Sequence, residues 1–260
     1  MKKLIKQTLP AILIGLALVL ASCNTGQKSQ KSETQSEGIL LRYNPKLNET
    51  VSIKTVIEQN MSVMGQEGTT TITMTMDMTA TEKTDSLVTI VSQMKEMSFN
   101  SNIMGQNISF DSKHMEDADP ILASNINETL QKTFEIVFDI YGNVIQMPED
   151  YPNKDQGFAA VFPKERVCVG SQWNIENDNI INNLPVHSSA TYTVKEITET
   201  TTKIEIDGKI ASEVVEGELT STMTIENETG IPITAIMNIP TRFTMDSSSS
   251  IIQTITISKE

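Results

Sequence analysis

Methionine is the residue type whose placement in this chain points to chemistry. Nine of the 14 methionines lie between Met61 and Met115, and Met74, Met76 and Met78 recur at a spacing of two. On a β-strand that spacing puts three thioethers on one side, about 7 Å apart. A flexible, polarizable thioether adapts to apolar partners of varied shape. A sheet face carrying Met74, Met76, Met78 and, from a neighbouring strand, Met94 would hold a lipid or another hydrophobic small molecule. The same residues allow two other readings: filler in an ordinary core, or capture of Cu(I). A copper site wants exposed, converging sulfurs and usually a histidine. Here the methionines interleave with Thr73, Thr75, Asp77 and Thr79, as core residues interleave with surface ones.

Other reactive side chains are sparse. The 260 residues include two His, two Cys and a single Trp, and the His and Cys are too far apart in sequence for a structural zinc site, which needs four clustered N or S ligands. His114 and His187 sit in no recognisable motif and both are remote in sequence from Cys168, so a Cys–His nucleophile is not expected. No G-x-S-x-G, H-E-x-x-H or Gly-rich phosphate loop occurs. Glu149, Asp150, Asn153 and Asp155 cluster but miss the EF-hand register. Glu116, Asp117 and Asp119 read as complements to a helix dipole. A net charge of −13 repels nucleic-acid phosphates. The expectation is a non-enzymatic protein with no cofactor, no metal and no nucleic-acid partner.

The N-terminus carries a second kind of chemistry. Met1-Lys2-Lys3-Leu4-Ile5-Lys6 is a basic n-region, and Leu9 to Leu20 is an apolar run shorter than the roughly 20 residues a membrane-spanning helix needs. Leu20-Ala21-Ser22-Cys23 closes it and resembles the bacterial lipobox. That resemblance implies a signal peptide over residues 1–22, cleavage before Cys23, and acylation of Cys23 with chains such as palmitate. Several chains on one Cys make a lasting anchor. Asn24 after the Cys implies, by lipoprotein sorting rules, an outer-membrane lipoprotein of the cell envelope facing the periplasm. Residues 23–38 are polar and without a large apolar side chain, and read as a lipidated flexible tether. The anchor would leave Cys168 as the remaining thiol, expected to be buried in a core strand Val167-Cys168-Val169.

Positioning a Met-rich face requires strands, and the chain supplies them. Val51, Ile53 and Ile57 share one parity, and further alternating runs read at Leu87–Phe99, Ile108–Asp111, Phe134–Ile140 and Val144–Met147. In the second half they read at Thr191–Thr198, Lys203–Ala211, Glu218–Glu226, Ile233–Ile239 and Ile251–Ile257. Turn signals at Gly65–Gly68, Gly105, Gly142-Asn143, Asp207-Gly208 and Glu228-Thr229-Gly230 separate them by hops short enough for antiparallel neighbours. Asp119-Pro120 ahead of Ile121, Leu122, Ile126 and Leu130 predicts one amphipathic helix to about Lys132, with Asp119 as N-cap. The fold class expected is mainly β: a large curved antiparallel sheet or open barrel over residues 39–260, with that helix packed on it. The Pro-containing stretch between Met147 and Pro163 marks two halves, 39–147 and 163–260.

Three segments carry a family resemblance. Phe134–Val144 has the pattern D-x-x-G-x-V at Asp139, Gly142 and Val144. Phe162–Trp173 has P-x-x-x-V-x-x-G-x-x-W at Pro163, Val167, Gly170 and Trp173. Glu226–Ile233 resembles a D-x-x-T-G-x-P hairpin with Glu226 in the Asp place. Together they resemble an uncharacterised, domain-of-unknown-function family of Gram-negative lipoproteins, and are similar to curved-sheet lipoprotein carriers of the LolA type. The resemblance implies structural motifs and no catalytic residue. Physically, Gly170 allows a turn, and Trp173 is a large anchor in the core or at a ligand site, with one N–H to satisfy. The functional expectation is a membrane-anchored lipoprotein that binds an apolar ligand at Met74, Met76, Met78, Met94 and Trp173. The alternative is a scaffold or protein-binding lipoprotein with a filled core.

Overall fold

The computed structural model describes residues 38–63, 65–103, 105–117, 120–149, 151, 161–181, 184–243 and 249–260. The signal segment 1–22, Cys23, and the tether up to residue 37 lie outside the described residues. So do Asp119, Asp150, Asn153 and Asp155. Residues Gly38–Glu260 form one compact unit by themselves.

Alternation builds this unit into one antiparallel sheet of 12 strands. The strands are β1 (Thr50–Val63), β2 (Gln66–Lys83), β3 (Leu87–Ile103), β4 (Gln106–Asp111), β5 (Thr133–Asp139) and β6 (Val144–Gln146). The helix α1 (Pro120–Gln131) lies between β4 and β5. Then follow β7 (Gln172–Ile181), β8 (Leu184–Ile197), β9 (Thr201–Ser212), β10 (Val215–Glu226), β11 (Pro232–Phe243) and β12 (Ser250–Lys259). The spatial order is β6-β5-β3-β2-β1-β12-β11-β10-β9-β8-β7, with β4 on the far half of β3. Two meanders, one from each half of the sequence, are thus joined where β1 pairs with β12. The sheet is open, with β6 and β7 at its edges.

The interior face is continuous across that junction. Met74 faces Thr55, which faces Ile257, and the row runs on through Ala235, Met223 and Ile204 to Val194. Along each strand the buried positions alternate: Val88, Ile90, Ser92 and Met94 on β3, and Thr202, Ile204 and Ile206 on β9. β3 and β8 are seven strand spacings apart, roughly 34 Å on a flat sheet. Ile90 of β3 and Tyr192 of β8 nevertheless line one cavity, so the sheet curls over on itself. Residues 39–47 cross one end of the curl. Ile39 bridges to Val167, the Tyr43 N–H donates to the Ile140 carbonyl at 2.8 Å, and Asn44 N–H to Thr229 at 2.7 Å.

Several elements differ from the sequence expectation, each for a local reason. Asp207-Gly208 is not a turn: Gly208 sits within β9, opposite Leu219 and Ala190. A Cβ there would lie 2.6 Å from the Ser189 carbonyl oxygen, so glycine serves close backbone approach rather than chain reversal. Val167-Cys168-Val169 is not a core strand. Val167 is buried and makes an isolated bridge, Cys168 is half-buried, and Val169 is 62% exposed. Trp173 opens a full strand, β7, and β8 starts at Leu184 rather than Thr191. The helix ends at Gln131. Its Ile126 is buried, and Leu130 packs beside the smaller cluster of Ile57, Met74 and Met94. Across the Pro-containing stretch, Tyr151 and Phe162 both bury in the same core as the strands of either half.

Candidate functional site

The curl encloses a cavity of about 680 Å³. One wall is the Met-rich face: Met74, Met76 and Met78 from β2, with Met94 from β3, all line it. The spacing of two puts the first three on one side. Met94 joins them by alternation with Ile90 and Ser92 and pairs with Met76; Thr75 then pairs with Glu96, leaving Lys95 as the extra residue of a bulge. Beyond Lys95 the parity of β3 reverses, so that Met97 packs against the same face as Met94. Val51 and Ile53 of β1, Ile90 of β3 and Ile136 and Phe138 of β5 complete the apolar wall. Ile175 and Asn177 of β7 and Tyr192 of β8 form the opposite side.

Trp173 stands apart from the four methionines. It is half-buried behind the cavity wall, stacked on Tyr192 with centroids 5.2 Å apart. Its indole N–H donates to the Val161 carbonyl at 2.8 Å. The cavity is lined by Tyr192 and Val161, so Trp173 supports the site from outside it.

Residues that the sequence did not single out finish the lining. Tyr43, Tyr151 and Tyr192 reach it, three of the four tyrosines in the chain. Tyr43 packs against Phe138 at 5.2 Å and Tyr151 meets Phe134 edge-on at 5.3 Å. Burial pushes all three phenols above their ordinary range, and at Tyr43 the neighbouring Tyr151 adds to the effect. They are therefore uncharged hydroxyls in an apolar wall, able to donate or accept a hydrogen bond. Glu49 and Glu149 lie at the rim beside Pro45, Asn143 and Pro148. The scarcity of tyrosine in a threonine-rich chain was the signal available for the phenols; Glu149 stood out only as part of an acidic cluster, and nothing in the spacing marked Glu49.

The family-like motifs turn out to build the closed end. Asp139 accepts from the N–H groups of Tyr141 and Asn143, both at 2.9 Å, and Gly142 completes the turn with φ of 90°. Thr229 donates its hydroxyl to Glu226 at 2.6 Å, and this bond, with Lys259 beside it, holds the Glu226 carboxyl below the usual range. Gly230 has φ of 68°, and any Cβ there would collide with the Arg42 carbonyl oxygen. The guanidinium of Arg42 in turn binds the carbonyls of Pro163 and Lys164 at 2.9 and 2.6 Å and lies 4.4 Å from the Tyr141 ring centroid. Three loops are thereby tied together over the core.

Other chemistry is dispersed. His187 contacts Asp178 at 2.8 Å across the β7–β8 hairpin, and His114 lies 3.7 Å from Glu116; all four side chains are exposed. No group of three or more His, Cys, Asp or Glu able to hold a metal occurs among the described residues. A second depression of about 480 Å³ lies over β7–β10 around Gly208. Its lining includes the charged and polar side chains of Asn174, Asp207, Lys209 and Glu218 beside Ile175, Ala190 and Leu219, and none of the chain's methionines.

Residues 156–257 match a family of unknown function (DUF6263). The match covers the Pro163–Trp173 motif and the Thr229-Gly230 hairpin and stops short of the Met-rich wall. No curated protein matches the sequence. The fold is similar to one in a structure described as lipid–protein interactions in lipovitellin. The TM-score is 0.54 at 7% sequence identity, over 83% of this chain and 25% of that chain. This chain thus spans about a quarter of the lipovitellin chain it matches.

Proposed function

We propose that this protein binds one lipid or similarly apolar small molecule inside the curled sheet and acts by binding, not by catalysis. One observation carries the reading: a cavity of about 680 Å³, open to solvent on one side, walled by Met74, Met76, Met78 and Met94. Ligand sites typically have volumes of roughly 300–1,000 Å³, apolar walls and a few convergent polar groups. Flexible thioethers suit a ligand with a variable chain better than a single rigid shape. The lipovitellin likeness concerns fold; that the structure in question is described through lipid–protein interactions agrees with the reading without carrying it. A scaffold with a filled interior would have packed the Met-rich face, and the unfilled volume counts against that alternative.

The same proposal places the protein at a membrane. Acylation of Cys23 after loss of residues 1–22 would anchor it in the outer membrane of a Gram-negative envelope, facing the periplasm. The support is the Leu20-Ala21-Ser22-Cys23 sequence with its preceding apolar run. The family-like motifs, with their LolA-type character, agree with that setting.

Native mass spectrometry of the chain from Asn24 onward, which contains the whole compact unit, tests the binding. A bound lipid-sized mass, or its uptake from added lipid, is expected. A bare protein that takes up none removes the proposal. Metabolic labelling with palmitate tests the anchor: label is expected on the native chain and absent from Cys23→Ala.

A further inference from the structure

The charged groups around the cavity are of one sign. Among the described lining residues the ionic side chains are Glu49 and Glu149, both exposed at the rim, and no Lys, Arg or His is present. Among the described residues, the neighbouring Arg42, Lys46 and Lys83 are engaged elsewhere. Arg42 is bound to the carbonyls of Pro163 and Lys164 and stacked over Tyr141. Lys46 pairs with Glu228 at 3.5 Å, and Lys83 donates to the Asn44 side chain at 2.7 Å. The remaining polar side chains of the described lining are neutral donors and acceptors: the hydroxyls of Tyr43, Thr55, Tyr151 and Tyr192 and the amides of Asn143 and Asn177.

An anionic polar end needs a countercharge or a set of strong donors when it leaves water. At this rim it would meet two carboxylates, in a chain of net charge −13. A hydroxyl or amine would instead find acceptors and, for a cation, attraction. We infer that the ligand is an amphiphile without negative charge: an apolar body along the methionine wall and an uncharged or cationic polar end at Glu49 and Glu149. This rests on the proposed binding function and narrows it by excluding free fatty acids and anionic lipids as preferred ligands.

The test uses the chain from Asn24 and three probes with one tail: dodecyltrimethylammonium, dodecanol and dodecanoate, below their micelle concentrations at neutral pH. Binding is read from the fluorescence of Trp173, which stacks on the cavity residue Tyr192. Displacement by dodecanol separates cavity binding from adsorption of a charged detergent on the surface. The expected order is ammonium, then alcohol, then carboxylate, with the first and last differing roughly tenfold at low salt. That gap should narrow at high salt. Replacing both rim groups, Glu49→Gln with Glu149→Gln, should close most of it; both sites are exposed, and circular dichroism checks that the variant folds. Dodecanoate binding as tightly as the ammonium, or a gap that survives the double substitution, overturns the inference and leaves the proposed function standing. If none of the three binds, the proposed function falls and takes the inference with it.

Discussion

Trp173 lies flat against Tyr192, with ring planes 20° from parallel, and its indole N–H reaches back to the Val161 carbonyl at 2.8 Å. One side chain thus clamps the outer strand pair to the segment before Phe162. Trp173→Phe keeps an aromatic on Tyr192 but loses the hydrogen bond. It should cost about 1 kcal/mol in urea unfolding followed by circular dichroism. Because Trp173 stands behind the wall, the affinity for an apolar probe should change little.

Met76 faces the cavity and Thr75 the other side of the sheet. Met76→Asp puts a carboxylate where an apolar tail would lie, and should weaken probe binding by more than about tenfold. Thr75→Asp, one residue away, should leave binding unchanged. Displacement titrations on both variants separate a wall effect from a general charge effect.

Gly230 and Gly65 both have positive φ, 68° and 76°, but differ in surroundings. At Gly65 a Cβ would meet nothing within 4 Å, whereas at Gly230 it would strike the Arg42 backbone. Gly65→Ala should therefore cost about 1 kcal/mol, the conformational penalty alone. Gly230→Ala should cost at least about 2 kcal/mol more, as steric displacement adds to strain. Paired thermal melts check the difference.

The Thr229 hydroxyl and then Lys259 lower the Glu226 carboxyl in the folded chain. A lowered carboxyl stabilises the fold above the ordinary carboxylate value of 4.5 and loses that contribution as pH falls through the folded value. Glu226→Gln should be less stable than the parent at neutral pH by about 1 kcal/mol. The gap should shrink in acid. Urea midpoints across that range read it directly.

At the other extreme, Tyr43, Tyr151 and Tyr192 are raised by burial. Above the ordinary phenol value of 10.0 the unfolded chain sheds protons that the folded chain keeps, so stability falls with rising pH. Tyr43→Phe should flatten that alkaline limb most, since burial moves Tyr43 furthest. Unfolding midpoints measured on the alkaline side compare the variants.

The strand content was legible because apolar side chains recur every second residue, and the side on which Met74, Met76 and Met78 meet follows from parity alone. Gly142, Gly170 and Gly230 were legible as turn positions, and all three have positive φ. β7 was hidden because it breaks the apolar alternation: Asn177, on the face of Trp173 and Ile175, is polar and lines the cavity. The placement of Met97 beside Met94 depends on the unpaired Lys95, which shifts parity without any sequence mark. Gly208 looked like a turn because a glycine inside a strand and a glycine between strands read alike. The cavity itself depends on which distant strands meet across the curl, and that is decided by the pairing of β1 with β12.

That pairing has a consequence for how the chain matures. Ile53 finds its partner Lys259 only when the last strand has been made, so throughout synthesis β1 presents a bare row of backbone donors and acceptors. The first meander must wait, half-walled and with its thioethers turned toward water, for a strand encoded far downstream. Long-range closure of this kind is slow and leaves the nascent chain adhesive. An escort that shields an exposed strand edge would accordingly matter more to the yield of this protein than to its final stability.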